Sequence, residues 1–369
     1  MAEPLAAGYE LADRLIGDRA NKWDLAGGIP VDVLRELGAR GLLCGQVAEE
    51  HGGLGMSSRD NGEFTAHVGS RCSSVRSVMT SQGMAAWTIQ RLASAPQAGR
   101  LLPELTGGKL AAVGFSEPDA GSDLAAMATT IEPDGDAVVL DGYKVWVTGA
   151  AYADLLVVFG KAEGGAAAVV VPADAPGVRV ERIADPLGCR AAGHTNVRFN
   201  GVRLPTSAVL GAAGLPLPLL VTTALAYGRM SVAWGCVGIL RACRTAAARH
   251  AATRSQFGKP LAEHQLVARR LAELYVAEQS AARACEHASA AWDAGSPDMV
   301  VATVLAKHVG ATSAAEAAAS AVQVLASAAG HDGHVVARAY RDAKLMEIIE
   351  GSNEMCQLIL AQHAVATAD

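Results

Sequence analysis

Aromatic residues are scarce in this sequence. Phe, Trp and Tyr make up 4% of the 369 residues and hydrophobic residues 51%, so the core must consist largely of Ala, Val and Leu. Acidic residues outnumber basic ones, which gives a net charge of −6, and no long run of Lys or Arg occurs. This balance argues against a protein that binds nucleic acid.

Paired cysteine motifs are absent as well. The seven cysteines form no Cys-x-x-Cys pair and lie at positions 44, 72, 189, 236, 243, 285 and 356. An odd number with irregular spacing fits reduced thiols and predicts a cytoplasmic protein. His331 and His334 flank Asp332, but no further ligand stands at a credible spacing, so the sequence predicts no metal site.

Nucleotide-binding fingerprints and membrane-spanning segments are also lacking. No Gly-x-Gly-x-x-Gly follows a strand-like run and no Gly-x-x-x-x-Gly-Lys occurs, so neither a Rossmann site nor a P-loop is predicted. The N-terminus lacks the basic start and apolar run of a signal peptide. The uncharged residues 204–228 are interrupted by Pro205, Pro216 and Pro218, which favours a buried loop leading into a helix over a membrane span.

The hydrophobic period divides the chain into three predicted domains. Residues 1–110 show helical spacing throughout. Residues 111–208 carry short β-branched runs separated by turn signals, which indicates a small antiparallel β domain. Residues 209–369 return to long helical segments, and the Ala-rich run at 311–329 is typical of close packing in a bundle. The sequence therefore predicts a mainly α protein with a central antiparallel β domain.

The segment around Glu350 carries a signal for acid–base chemistry. A helical pattern runs to Ile349 and breaks at Gly351, because glycine leaves helical geometry most easily, and Ser352 can cap a new helix. Glu350 lies on the break beside apolar neighbours. Such a dry position raises the pKa of a carboxyl group toward neutral pH and suits a general base. The alternative, from this stretch alone, is a surface glutamate before a C-cap glycine.

Three stretches, and the order of the predicted domains, resemble the acyl-CoA dehydrogenase family. The stretches are Tyr-Arg-Asp-Ala-Lys at 340–344 with Glu350-Gly-Ser, Phe-Ser-Glu-Pro-Asp-Ala-Gly-Ser-Asp at 115–123, and Arg-Ser-Gln-Phe-Gly at 254–258 with Gln265. The resemblance covers nearly the whole chain. It implies that family's fold, which has an N-terminal helical domain, a β-barrel-like middle domain and a C-terminal four-helix bundle.

The resemblance implies an enzyme that oxidises an acyl thioester with FAD. In that family the glutamate at the position of Glu350 removes the α-proton while the β-hydride passes to FAD. Contacts with the substrate are implied for Ser122, Arg229 and Gly351. Contacts with the cofactor are implied for Phe115, Ser116, Ser122, Trp146, Thr148, Arg254, Phe257, Gln323, Ser327, Ser352 and Glu354.

The resemblance also implies partners for the chain. Arg254 and Phe257 match residues that serve the FAD of a neighbouring subunit, which implies a homodimer or homotetramer with FAD at the interface. An electron acceptor such as electron-transfer flavoprotein or oxygen is implied as well. The chain departs from the family pattern at Ala326 and Ser327, where two glycines usually lie, and at Cys356-Gln357, where Gln-Arg is usual.

With these departures and its Ala-rich composition, the chain resembles the members of the family that act in secondary metabolism. The implied reaction is the oxidation of a small acyl thioester, on an acyl carrier protein or CoA, in forming hydroxymalonyl and methoxymalonyl extender units for polyketide antibiotics. A short-chain acyl-CoA dehydrogenase, a flavin monooxygenase or oxidase, and an inert helical scaffold remain as alternatives. Arg241, Arg244 and Arg249 share a helix flank that could dock an acidic carrier, the alternative being a solvated face.

Overall fold

The computed structural model describes residues 3–368. The N-terminal helices are α1 (Glu3–Ile16), α2 (Ala20–Ala26), α3 (Val31–Gly38), α4 (Ser58–Arg71), α5 (Ser73–Leu92) and α6 (Ala95–Thr106). The strands that follow are β1 (Ala111–Gly114), β2 (Thr130–Asp134), β3 (Ala137–Val147), β4 (Leu155–Ala162), β5 (Gly165–Pro172), β6 (Val178–Arg182) and β7 (Thr195–Pro205). The chain then forms α7 (Leu217–Thr253), β8 (Ser255–Gln256), β9 (Lys259–Pro260), α8 (Gln265–Asp293), α9 (Met299–Leu325), α10 (Val335–Met346) and α11 (Asn353–Ala366).

This order of elements confirms the predicted fold, with a sheet between two helical parts. The sheet has the strand order β1-β4-β2-β3-β7-β6, and β5 pairs with β4. Most pairs are antiparallel, but β1 pairs with β4 in parallel, as does one residue of β2. The reason is the long connection between β1 and β4, which brings the chain back beside β1 in the same direction. The bounds of the three predicted domains stay predictions.

Helix α5 joins the N-terminal helices to the sheet through buried polar side chains. Gln82 accepts the Ala111 N–H at 2.6 Å and donates to the Lys109 carbonyl at 2.9 Å. The Ser81 hydroxyl accepts the Val113 N–H at 3.2 Å. These bonds satisfy backbone groups that the edge strand β1 would otherwise leave unpaired. The same helix also packs on α7.

Helix α7 forms the centre of the core. Its residues 226–240 are all buried, and α4, α5, α8, α9 and α10 pack around it. Small residues permit the close approach: a Cβ at Gly62 of α4 would overlap the indole of Trp234. Helix α9 contributes a series of buried alanines, which is the bundle packing that the Ala-rich run predicted.

Residues 204–228 form the end of β7, a loop and the first turns of α7, as the three prolines predicted. Within residues 3–368, no helix is long and apolar enough to cross a membrane. All seven cysteines are free and buried. Burial raises the pKa of the Cys44 thiol to about 12, so this thiol is unreactive at neutral pH.

Candidate active site

The break predicted at Glu350 is a tight turn between two helices. Helix α10 ends at Met346, and α11 begins at Asn353, where the Ser352 hydroxyl accepts an N–H of the first turn at 3.4 Å. Glu350 has a φ of 55° and Gly351 a φ of 86°. Positive φ suits glycine but costs a glutamate about 1–3 kcal/mol, so the surrounding structure must hold the turn in place.

Two buried cations hold the carbonyl groups of this turn. Arg229 of α7 is 8% exposed, and its Nε donates to the Glu350 carbonyl at 3.0 Å. Lys307 of α9 is fully buried, and its Nζ donates to the Gly351 carbonyl at 2.7 Å. Burial lowers the pKa of Lys307. Both contacts involve the backbone, so Arg229 supports the turn, and its contact with a substrate stays a prediction.

The Glu350 carboxyl group lies in a dry position. Its Oε2 is buried and has no hydrogen-bond partner among residues 3–368, although the residue as a whole is half-buried. The group packs against Gly228, where an added Cβ would lie 2.6 Å from Glu350 Cδ and 2.8 Å from the Met84 sulfur. Burial raises the pKa of Glu350 to about 7, and nearby cations, Arg229 foremost, oppose the rise. Such a carboxylate can accept a proton near neutral pH.

The loop at 115–123 is anchored by a buried ion pair that sequence analysis missed. Lys144 is fully buried, and its Nζ donates to the Glu117 carboxylate at 2.7 Å and to the Phe115 carbonyl at 3.0 Å. Glu117 also accepts the backbone N–H groups of Ala128 at 2.6 Å and Thr129 at 3.1 Å. Burial lowers the pKa of Lys144 to about 8, and Glu117 opposes this change. The pair fixes the base of the loop.

The same loop presents its polar tip to solvent. Phe115 stacks on Phe159 with ring centroids 4.2 Å apart and an interplanar angle of 16°. The Ser116 carbonyl accepts the Val145 N–H at 2.8 Å, so this part of the loop lies along β3. Ser122 is exposed at the tip. A loop with a fixed base and an exposed hydroxyl can contact a ligand without large rearrangement.

Trp146 and Thr148 lie beside a histidine that sequence analysis did not identify. Trp146 has a φ of 55°, is 53% exposed and meets His194 edge-on at 5.8 Å between ring centroids. The Thr148 hydroxyl is 3.1 Å from His194 Nδ1, and Nε2 is buried without a partner in the described residues. Burial lowers the pKa of His194 to about 4, so the ring is neutral at pH 7. The exposed indole of Trp146 offers a face that a planar ligand can cover, and the buried, neutral His194 supports it from below.

Arg254 and Phe257 lie far from Glu350 within one chain. About seven turns of α7 separate Arg229 from Arg254, or about 37 Å at 1.5 Å per residue. On α9, Gln323 is likewise about 24 Å along the helix from Lys307, which contacts the turn that holds Glu350. Phe257 has a φ of 52° and is 95% exposed on the β8–β9 hairpin. These residues therefore do not share a site with Glu350 of the same chain.

Ala326 adopts a backbone conformation that favours glycine. Helix α9 ends at Leu325, and Ala326 follows with φ 50° and ψ −129°. Gln323 and Ser327 are exposed on either side of it. The family pattern has glycine at position 326. This chain has alanine there, yet the backbone keeps the positive φ that glycine adopts most easily.

Ala326→Gly is expected to stabilise the protein by about 1 kcal/mol, because glycine adopts positive φ without steric cost. Thermal unfolding should show a higher Tm. The matched control is Ala328→Gly, at an exposed neighbour without positive φ, which should lower the Tm because glycine makes the unfolded chain more flexible. A lower Tm in both variants would show that Ala326 is not strained.

The hypothesis that three arginines of α7 form a free basic flank is wrong for two of them, Arg241 and Arg244. Arg241 donates to Glu63 at 2.9 Å and lies 3.5 Å from Glu278. Arg244 also pairs with Glu278. Both arginines are half-buried between α7 and the acids of α4 and α8, and Arg249 alone of the three is exposed. Their charge is neutralised within the fold, so this flank is not a docking site for an acidic carrier.

His334 and Asp332, near the start of α10, have structural partners. His334 accepts the Val336 N–H at 3.1 Å and so caps the helix. Asp332 pairs with Arg190 at 3.2 Å and with Arg341 at 2.8 Å. In the part of the chain that the structure describes, no group of three or more His, Cys, Asp or Glu side chains could hold a metal ion.

Three family models match the chain in succession. They are the N-terminal domain of acyl-CoA dehydrogenase at residues 6–109, the middle domain at 112–202 and the C-terminal domain at 219–365. Glutaryl-CoA dehydrogenase of Desulfococcus multivorans is 31% identical over 93% of this chain and 90% of its own length. The human mitochondrial short-chain specific acyl-CoA dehydrogenase is 30% identical over 90% of this chain and 82% of its own.

Solved structures resemble the protein over its full length. A structure described as FkbI for biosynthesis of the methoxymalonyl extender unit of FK520 is 65% identical, covers 97% of this chain and 99% of that one, and has a TM-score of 0.93. A glutaryl-CoA dehydrogenase of Mycobacterium smegmatis in complex with FADH2 is 25% identical, covers 100% and 94%, and has a TM-score of 0.91. These matches confirm the predicted family and cofactor. The chain belongs to the acyl-CoA dehydrogenase family and is an FAD-dependent oxidoreductase.

Proposed function

We propose that the protein removes hydrogen from Cα and Cβ of a small hydroxylated acyl thioester. The buried, unpaired carboxylate of Glu350, with its pKa of about 7, carries this proposal, because it can accept the α-proton. FAD, when bound, supplies the acceptor for the hydride from Cβ. With a glyceryl thioester, the product is an enol that tautomerises to an aldehyde, so the net change is oxidation of the terminal alcohol.

The turn that holds Glu350 also offers a hydrogen-bond donor for this reaction. Removing an α-proton places negative charge on the thioester oxygen, which a hydrogen-bond donor must stabilise. The Glu350 N–H donates to no backbone carbonyl within residues 3–368. Arg229 and Lys307 hold the neighbouring carbonyls, so they fix the direction of this N–H. We propose that the Glu350 N–H is the donor to the thioester oxygen.

The residues around Trp146 fit the isoalloxazine ring of FAD. The exposed indole offers an aromatic face, and the partly buried Thr148, whose hydroxyl is 3.1 Å from His194 Nδ1, lies two residues along the same strand end. The loop at 115–123, fixed by Lys144 and Glu117, supplies Phe115 and Ser116 to the same ligand. Ser352 and Glu354, at the start of α11, extend the same proposed cofactor site.

The similarity to FkbI supports a role in polyketide metabolism. FkbI is described as acting in biosynthesis of the methoxymalonyl extender unit, and it is 65% identical to this chain. We therefore propose that the substrate is carried by an acyl carrier protein and is oxidised on the way to hydroxymalonyl or methoxymalonyl units. The reduced flavin would be reoxidised by electron-transfer flavoprotein or oxygen, and the reaction would take place in the cytoplasm.

Anaerobic reduction of the flavin by a panel of thioesters tests this proposal. Glyceryl, butyryl and propionyl groups would be offered on both an acyl carrier protein and CoA. We expect glyceryl to bleach the flavin fastest and the carrier protein to be preferred. Faster bleaching by butyryl-CoA would instead indicate a short-chain acyl-CoA dehydrogenase, and a hydroxylated product formed only with oxygen would indicate a monooxygenase.

We also propose that the protein is a homodimer or homotetramer in which each FAD is shared by two chains. Arg254, Phe257 and Gln323 lie far from Glu350 of the same chain, and this distance supports the shared arrangement. One chain cannot bring these three residues and its own Glu350 to the same part of the cofactor. The exposed Phe257 is also more easily explained beneath a second subunit than in solvent. A guanidinium at position 254 suits the pyrophosphate of the partner's cofactor.

Arg254→Ala is expected to weaken FAD binding by roughly 2–4 kcal/mol, because a charge-assisted contact to the pyrophosphate is lost. Titration of apoprotein with FAD measures the change. Arg249→Ala, which removes an exposed arginine near the end of the same helix, is the matched control and should leave the affinity unchanged. A monomer in sedimentation experiments that still holds FAD fully would contradict the shared site.

A further inference from the structure

Asn353, the first residue of α11, closes the turn that holds Glu350. Its backbone N–H donates to the Glu347 carbonyl at 2.8 Å. Its Nδ2 donates to the Glu347 carboxylate at 3.2 Å and to the Thr312 hydroxyl of α9 at 3.2 Å. The residue is 8% exposed. Asn353 therefore ties the two ends of the turn to each other and to α9.

Lys307 completes this network from within α9. Its Nζ donates to the Gly351 carbonyl at 2.7 Å, and it also lies 3.4 Å from the Glu347 carbonyl and 3.4 Å from Asn353 Oδ1. An ammonium has three N–H donors, and this arrangement gives each of them an acceptor. The amide of Asn353 likewise uses its one oxygen and both of its N–H donors. We call Lys307, Asn353, Glu347 and Thr312 the turn lock.

The backbone at Glu350 needs such support. Its φ of 55° is a conformation that residues other than glycine keep only where the surrounding structure imposes it. The angle φ is the rotation about the N–Cα bond, so it sets the direction of the Glu350 N–H relative to its side chain. The proposed reaction uses both groups at once, the carboxyl group at the α-proton and the N–H at the thioester oxygen. A turn that relaxed to negative φ would separate them.

The turn lock also holds a buried positive charge beside the reacting groups. Lys307 is fully buried, and its acceptors in the described residues are two carbonyls and an amide, all uncharged. The thiols of Cys356 and Cys236 also lie near Lys307, and burial raises their pKa, so they stay neutral at pH 7. Proton transfer moves one negative charge from the Glu350 carboxylate to the thioester oxygen. A fixed cation beside the turn favours this charge before and after the step.

We propose that Lys307 and Asn353 are positioning residues of the reaction. They lock the turn at Glu350 so that its carboxyl group and its N–H face the same substrate molecule. This inference rests on the proposed function, since it assumes that Glu350 is the base. Both residues act through the backbone of the turn rather than on the substrate.

Hydrogen–deuterium exchange tests the lock without turnover. The peptide that contains residues 347–353 would be followed by mass spectrometry after exchange in the purified holoenzyme. Asn353→Leu keeps the size of the side chain and removes its hydrogen bonds, so exchange in this peptide should speed up by at least about tenfold. Arg338→Met is the matched control, because Arg338 is also a buried cation that contacts an asparagine, Asn21, and a carbonyl, that of Arg71. It should leave exchange in the turn unchanged.

Anaerobic reduction of the flavin tests the effect of the lock on the reaction. We expect Asn353→Leu to bleach the flavin about 10²-fold more slowly at saturating substrate, because a misplacement of about 1 Å is enough for such a loss. The affinity for the substrate should change little. Arg338→Met should lower the Tm, since it leaves its acceptors unpaired, and yet react like the wild type. Lys307→Arg, which keeps the charge, should retain more of the rate than Lys307→Met.

The pH dependence separates the charge of Lys307 from its hydrogen bonds. Burial raises the pKa of Glu350, and three cations oppose the rise, namely Arg229, Lys307 and Arg76. Lys307→Met removes one of them, so the rise of the bleaching rate with pH should move to higher pH than in the wild type. Asn353→Leu leaves the charge in place and should slow bleaching without moving this rise. A role in stability alone would not shift the profile.

Two outcomes would overturn the inference: exchange in the turn of Asn353→Leu as slow as in the wild type, or bleaching by this variant at the wild-type rate. Should it fail to fold, the same two measurements on Thr312→Val, which removes one hydrogen bond of the lock, decide the question through smaller changes in the same direction. Exchange that depends on the lock, without flavin reduction by any thioester, would overturn dehydrogenation and keep the lock. Flavin reduction that does not depend on the lock would do the reverse.

Discussion

Replacement of Glu350 by glutamine should abolish reduction of the flavin by substrate while the fold and bound FAD persist. The amide fills the same space but cannot accept a proton, so we expect a loss of at least about 10³-fold. The measurement is anaerobic bleaching of the flavin at saturating substrate in a stopped-flow instrument. Glu316→Gln, which changes an exposed carboxylate on α9, is the control and should react like the wild type.

The pH dependence checks the same assignment. Because the pKa of Glu350 is about 7, the wild-type rate of bleaching should rise with pH through 7 and then level off. The glutamine variant should show no such rise in its residual rate. Bleaching by Glu350→Gln at close to the wild-type rate would show that another group is the base.

Glu350 should also affect stability, with a definite sign. Its pKa in the folded protein is raised from 4.5 to about 7, so the folded state binds the proton more tightly than the unfolded state does. The stability that proton binding by Glu350 contributes is fully present below pH 4.5 and is lost as the pH rises through 7. When the pH is raised from 5 to 8, the free energy of unfolding of Glu350→Gln should therefore increase by roughly 1–3 kcal/mol relative to that of the wild type. Denaturant titrations at both pH values measure the gain.

The turn at Glu350 could be anticipated because its signals are local. Gly351 and Ser352 stand next to the residue they affect, and a glycine followed by a capping hydroxyl indicates a break between helices. The fold was likewise predictable from the change of hydrophobic period. The assigned roles of the site residues rest on family resemblance and stay predictions.

The partners of the turn could not be anticipated, because they come from distant parts of the sequence. Lys307 stands in an Ala-rich helical run, where a lysine usually faces solvent, and nothing nearby shows that it reaches the Gly351 carbonyl. His194 lies in a loop without a recognisable pattern. For Arg241 the missing partners led to a wrong prediction. Helical spacing showed that it shares a flank with other arginines, but it could not show the acids Glu63 and Glu278 that neutralise its charge.

Gly228→Ala is expected to slow flavin reduction by about 10²-fold, because a misplacement of the base by about 1 Å is enough for such a loss. An added Cβ would lie 2.6 Å from Glu350 Cδ, well inside van der Waals contact. Gly228 is buried within α7 and cannot retreat, whereas the Glu350 side chain can turn away. We therefore expect FAD binding to persist and the rate of bleaching to fall.

Gly99→Ala is the matched control, because it also adds a methyl group to a helical glycine but meets no atom within 4 Å. It should leave the rate unchanged and raise the Tm slightly, since alanine favours helix. If Gly228→Ala also reacts at the wild-type rate, the carboxylate must leave Gly228 when substrate binds. The pKa of about 7 would then belong to a resting position, and the rate of bleaching should no longer follow the titration of Glu350.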